Sequence, residues 1–320
     1  MLGFGAIASM PLGGSARLIP ESPRLRRLQE HLIGKIPCKP EIARADLYRM
    51  NAGELLGRYV NWADRFVMPR SRRVITWEGF PRHGVLRPQH SETVQLLAHK
   101  IEAGDDLMPH LSKDIHRSGY VPPKPLRREN TKRRGVEWDD KDYVLNAFET
   151  HHLHLTPRGS RELLYVIFSR NDAFFLMLGD HKSFNDGTLA QAVAESRAGT
   201  SLELKGILGP ANPRSMREQN TLQRYGFTTA YQVEGRTVMG AFLSAAGTSP
   251  LHTMYADRML RMIHELEPRI DEPGFAHESF ERNRKPYPTA PNFEWMMQHC
   301  DLCLVETTTG VGFPMLTWRR

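Results

Sequence analysis

The strongest constraint on the fold is a pair of unbroken apolar runs in mid-chain. LLYVIF (163–168) and AFFLML (173–178) are separated only by polar residues, with Arg170-Asn171-Asp172 at their centre. Runs this short and this rich in β-branched and aromatic residues read as strands, and the polar triplet reads as a hairpin turn. Continuous apolarity leaves no wet face, so both strands must be covered on two sides. The chain must therefore supply helices or further sheet above and below this hairpin.

The expected strands span 161–169 and 173–179, and a third, over 150–156, alternates between two faces. A short helix bearing Tyr143, Val144, Ala147 and Phe148 precedes them. A helix capped by Asp186 or Thr188 and running to Ala198 follows, then a strand over 201–208. Residues 1–120 read as mainly helical. Leu25, Leu28, Leu32 and Ile36 fall at helical spacing, and Leu47, Leu55, Leu56, Tyr59 and Trp62 continue the pattern. Ser91 is a candidate N-cap for a helix ended by Gly104. A further helix is expected from Asp105-Asp106 to Gly119, and a strand over 73–77.

Towards the C-terminus the pattern predicts a helix over 215–225 and a hairpin around Glu234-Gly235-Arg236. A long amphipathic helix from Leu251 to Leu266 is stopped by Pro268. A polar loop over 271–291, a short helix over 293–299 and a strand over 302–305 complete the reading. The fold class is α+β: a helical region over 1–120, a basic linker over 121–136, and an α+β region over 137–320 with the candidate site at 150–186.

The 320 residues are 40% hydrophobic and 25% charged, which fits a soluble globular chain and excludes collagen-like or wholly disordered classes. No run of 18 apolar residues is present, so no transmembrane helix and no membrane partner are expected. Residues 1–20 are small and apolar but lack a basic leading segment, and read as a loose leader or an over-called start, not a signal peptide. Three cysteines, Cys38, Cys300 and Cys303, are too few for a disulfide framework and point to a reducing cytoplasm. The net charge of +7 is uneven: residues 1–136 carry the whole excess and 137–320 are net acidic. The linker concentrates Arg127, Arg128, Arg133 and Arg134 with two lysines against a single glutamate, a composition suited to a polyanion such as RNA.

Chemistry is most concentrated in His151-His152-Leu153-His154 and Asp180-His181-Lys182-Ser183. On a strand, His152 and His154 share one face while His151 shares the other with Leu153 and Leu155. Asp180-His181-Lys182-Ser183 closes the third strand of the meander, which would bring His181 to the same sheet end. Imidazoles titrate near neutrality, so a pair flanking a phosphodiester can act as general base and general acid without a metal. Arg161, Lys182 or Arg158 would stabilise the charge on the phosphoryl oxygens. A metal site completed by Asp180, His181 or Asp186 ranks below this acid–base reading.

The order helix, HHLHLT, RELLYVIF, AFFLMLGDHKSF resembles a pattern in bacterial proteins and is similar in arrangement to the barnase/EndoU/colicin/RelE-like RNases, over about residues 139–186. That resemblance implies a helix followed by an antiparallel meander, toxin-like RNA cleavage, and His152, His154, Arg161 and His181 as the site positions. His154-Leu155-Thr156 and His181-Lys182-Ser183 also resemble the H-x-[ST] motifs of two-histidine phosphodiesterases.

Two other classes compete. Glu203-Leu204-Lys205 has the E-x-K form of metal-dependent nucleases, with Asp180 or Asp186 upstream. Alternatively the protein binds nucleic acid or a protein partner without catalysis, and the histidines are structural. Cys300-x-x-Cys303 lacks the second half of a zinc knuckle and reads as two small apolar residues. No glycine pattern makes a P-loop or dinucleotide fingerprint, so no nucleotide cofactor is expected. The leading expectation is a metal-independent RNA endonuclease or phosphodiesterase.

Overall fold

A computed structural model describes residues 22–80, 88–112, 115, 119–122, 142–157, 159–200, 202–207, 209, 214–224, 227–240, 243–244 and 247–319. The N-terminal third contributes α1 (Pro23–Lys35), α2 (Arg44–Leu47), α3 (Ala52–Ala63), β1 (Arg73–Thr76) and α4 (Pro88–Ala103). Next come α5 (Tyr143–Phe148), β2 (His151–His154), β3 (Glu162–Phe168), β4 (Asp172–Asp180), α6 (Ser183–Asp186) and α7 (Thr188–Arg197). The remainder forms α8 (Met216–Arg224), the hairpin β5 (Ala230–Val233) and β6 (Arg236–Met239), α9 (Pro250–Leu266), α10 (His277–Arg282), and β7 (Phe293–Gln298), β8 (Asp301–Glu306) and β9 (Val311–Leu316). The fold is α+β.

The apolar hairpin is the middle of a four-stranded sheet of order β1-β4-β3-β2. β2, β3 and β4 form the expected antiparallel meander, and β1 joins the far edge of β4 in parallel. Both faces are covered, as the continuous apolarity requires. Leu163, Tyr165, Leu176 and Met177 pack under α5 and α7, while Leu164, Val166, Phe175 and Leu178 pack with Leu97 and Ile101 of α4. A further core joins α1 and α3 to α9 and to the β7-β8-β9 sheet. Residues before 121 and after 136 thus share cores.

Local chemistry explains the helix boundaries. Ser22 caps α1 by accepting from the Leu25 amide, and Asn51 with Glu54 makes a reciprocal capping box on α3. Gly104 ends α4 at φ +83°, where a Cβ would lie 2.6 Å from the Ser71 amide nitrogen, so only glycine fits.

Several expectations are corrected. The helix expected from 105 to 119 is, among the described residues, one 3-10 turn at Met108–His110. The Asp106 carboxylate takes the Met108 amide at 2.9 Å, and such side-chain capture of the backbone competes with helix. α4 begins at Pro88, so Ser91 lies inside it and does not cap it. The strand expected over 201–208 reduces to a bridge between Glu203 and Val238. Where a helix is expected over 293–299, Phe293–Gln298 form strand β7, with Phe293, Trp295 and Met297 buried and alternating with more exposed residues. The loop over 271–291 contains α10, and β9 was not anticipated.

Candidate active site

Strand pairing sets His152 opposite Tyr165 and His154 opposite Leu163. Both histidines therefore project on the α5/α7 side of the sheet, half-buried, while His151 is buried on the other side. β4 carries the chain back beside them to Asp180, and a tight turn follows. Gly179 permits it, because a Cβ there would lie 2.5 Å from Ser183 Oγ and 3.2 Å from the Tyr165 ring. The turn is held by three hydrogen bonds. The Asp180 amide donates to Ser183 Oγ (3.3 Å), the Lys182 amide to Asp180 Oδ1 (2.8 Å), and the Tyr165 hydroxyl to the Asp180 carbonyl (2.9 Å).

This turn delivers His181 to the β2 histidines. Ring centroids are 6.3 Å apart for His152 and His181, 5.8 Å for His154 and His181, and 6.5 Å for His152 and His154. Phe184 floors the group, 5.3 Å from His152 and 5.5 Å from His181. Three imidazoles from two strand ends thus meet over one aromatic ring, with His181 exposed to solvent.

Burial depresses the pKa of His152, and the neighbouring His154 and His181 push in the same direction against Asp142. A neutral ring at neutral pH follows. His154 Nδ1 lies 2.9 Å from the Ser160 carbonyl and 3.2 Å from the Ser160 amide nitrogen. One nitrogen cannot donate and accept at once. The shorter contact favours Nδ1–H donating to the carbonyl, which leaves Nε2 as the basic nitrogen. The strand is braced from behind: His110 Nδ1 is 2.9 Å from the His154 carbonyl, so Nδ1 is the donor, and Lys100 Nζ stands 3.2 Å from His110 Nε2. Burial lowers the His110 pKa, consistent with a neutral ring that donates at Nδ1 and accepts at Nε2. No local sequence motif marks this brace.

Arg161 is exposed, and its Nε stands 3.7 Å from Asp180 Oδ2 across the β3–β4 pair. Lys182 is exposed one residue beyond His181. Arg127, Arg128, Arg133, Arg134 and Arg158 lie outside the described residues. Glu203 of the E-x-K triplet accepts from the Gly199 amide at 2.9 Å and faces Arg236 at 3.4 Å. Among the described residues no group of three His, Cys, Asp or Glu side chains is arranged to hold a metal ion. Cys300 and Cys303 are buried and unpaired, and burial raises both thiol pKa values.

The sequence reading missed a second polar cluster, on the His151 side of β2. Asp64, just past α3, is buried. Its Oδ1 accepts from Trp318 Nε1 (2.7 Å), and its Oδ2 from His252 Nε2 (3.0 Å) and Arg319 Nη2 (2.6 Å). Its backbone carbonyl accepts from His151 Nε2 at 2.8 Å. Burial alone would raise the Asp64 carboxyl pKa, but Arg319 and the His252 hydrogen bond hold it well below the usual range. Residues from positions 64, 151, 252, 318 and 319 meet here, and no local spacing announces it.

Comparison with protein-family models, with curated proteins and with solved structures found no match for this chain.

Proposed function

We propose that the protein cleaves RNA by metal-independent acid–base catalysis at the His152, His154 and His181 cluster. The observation that carries this reading is the convergence of three imidazoles at an exposed sheet end, with an arginine and a lysine beside them. His154, with Nε2 unprotonated, takes the proton from the ribose 2′-hydroxyl as its oxygen attacks phosphorus. His181, as the general acid, donates a proton to the departing 5′-oxygen as the P–O bond breaks. A 2′,3′-cyclic phosphate results. His152, held neutral, orients the pair, and Arg161 and Lys182 stabilise charge on the equatorial oxygens.

The basic linker, with Arg127, Arg128, Arg133 and Arg134, and Arg158 would hold the flanking phosphates. That contact is sequence-independent and should weaken steeply with salt. The setting is a reducing, cytoplasmic one, in keeping with three free, buried cysteines; no helix among the described residues is long and apolar enough to cross a membrane. Incubation with end-labelled RNA and its 2′-deoxy counterpart in the presence of chelator tests the reading. Cleavage of the RNA alone, leaving cyclic phosphate ends, is expected. Activity abolished by chelator would replace it with the metal-dependent alternative, and equal cleavage of the deoxy strand would rule out attack by the 2′-hydroxyl.

A further inference from the structure

The face of β2 opposite the histidine cluster borders a small cleft of about 50 Å³, partly open to solvent and lined by His151, Arg70, Arg72, Arg170 and Arg319 together with Asp64 and Asp301. One water needs roughly 10–15 Å³ of such space, so the cleft suits an ion of a few heavy atoms and not a nucleobase. Four guanidinium groups face two carboxylates, and both carboxylates are already engaged. Asp64 is occupied on both oxygens. Asp301 accepts from Arg170 Nη1 and from the Trp318 amide, each at 2.8 Å.

The cations keep unused donors. Arg72 spends Nε and Nη1 on the carbonyls of Ser169, Met68 and Arg70, which leaves Nη2 without a hydrogen bond to a described residue. Among the described residues, the Arg170 side chain uses only Nη1. Burial, with Arg70 adding to it, lowers the Arg72 pKa to about 10, as expected of a cation that lacks a counter-charge.

His151 decides what kind of anion fits. Its Nε2 must donate to the Asp64 carbonyl, so in the neutral ring Nδ1 is an acceptor. That nitrogen is buried and has no hydrogen-bond partner, a state proteins rarely leave unfilled. Burial first, and then Arg319, hold the ring's pKa down to about 4, so at neutral pH it presents a lone pair and no charge.

We propose that this cleft is a binding site for a small oxyanion that keeps a hydrogen of its own, hydrogen phosphate being the type. The charged oxygens accept from the free arginine N–H groups, and the P–OH donates to His151 Nδ1. Sulfate has the same size and charge but no O–H at neutral pH, and leaves His151 unsatisfied. The site is separate from the histidine cluster and independent of its assignment.

Isothermal titration of the full chain with inorganic phosphate and with sulfate, at matched ionic strength near neutral pH, tests this. Phosphate should bind at least about tenfold more tightly, the worth of one unmet buried hydrogen bond. His151→Phe should abolish the preference, while Arg70→Ala, at a side chain with no hydrogen bond to a described residue, should weaken both anions. If His151→Phe does not fold, the wild-type preference and Arg70→Ala decide the matter. Equal affinity for the two anions, or no saturable phosphate binding below about 10 mM, would overturn the assignment.

Discussion

Asp64→Ala removes the acceptor shared by Trp318 Nε1, His252 Nε2 and Arg319 Nη2. Breaking a buried ion pair by truncating one member costs about 3–5 kcal/mol, because the remaining charge stays buried. A dry indole N–H costs about 1–3 kcal/mol more. The donors belong to one network, so these figures do not simply add, and a loss of about 5 kcal/mol is the expectation. That would be a third or more of the stability of an ordinary folded chain. With an m-value of about 3 kcal/mol/M, the urea midpoint should fall by about 1.5 M. Arg319→Ala, which leaves Asp64 with Trp318 and His252, should cost about half as much. The reason for so large an effect is topological: Asp64 follows α3, His252 opens α9, and Trp318 and Arg319 end the described chain. One carboxylate ties all three together. A midpoint for Asp64→Ala within about 0.3 M of wild type would show that the network is incidental to stability.

Acid should destabilise the protein before any carboxylate is titrated. The folded His151 pKa is about 4 against an ordinary 6.5, so the unfolded chain binds that proton first. Stability is full above pH 6.5 and is lost as pH falls towards 4, by about 3 kcal/mol from this group. Burial lowers His110, His152 and His299 in the same sense; urea curves that coincide at pH 7.5 and 4.5 would contradict this. Gly179→Ala forces a Cβ against Ser183 Oγ and the Tyr165 ring. It should cost about 1–3 kcal/mol and, by shifting the turn, reduce RNA cleavage more than it reduces stability; wild-type turnover would show that the turn does not position His181.

Parts of this architecture are legible in the residues because the signal is local. The runs 163–168 and 173–178 could only be strands covered on both faces, and the H-x-H spacing placed His152 and His154 on one side of β2. The turn after Asp180 brought His181 to them, as the meander required. Elsewhere a local signal was present but misread. In Phe293-Glu294-Trp295-Met296-Met297-Gln298 the buried residues alternate at period two, yet the apolar content suggested a short helix. At Asp106 a side chain captured the backbone that a helix needed. Two features had no local signal. The parallel pairing of β1 with β4 joins residues about a hundred positions apart, and the Asp64 cluster gathers residues from positions 64 to 319, each of which alone resembles an ordinary core or surface polar residue.

The most direct test of the central claim is the single-turnover rate of RNA cleavage by His154→Ala and His181→Ala beside wild type, with circular dichroism to show that each variant is folded. Loss of a general base or a general acid should slow cleavage by about 10²–10⁴-fold in each case. Full activity in both folded variants would show that His154 and His181 are structural and that the cleavage chemistry lies elsewhere.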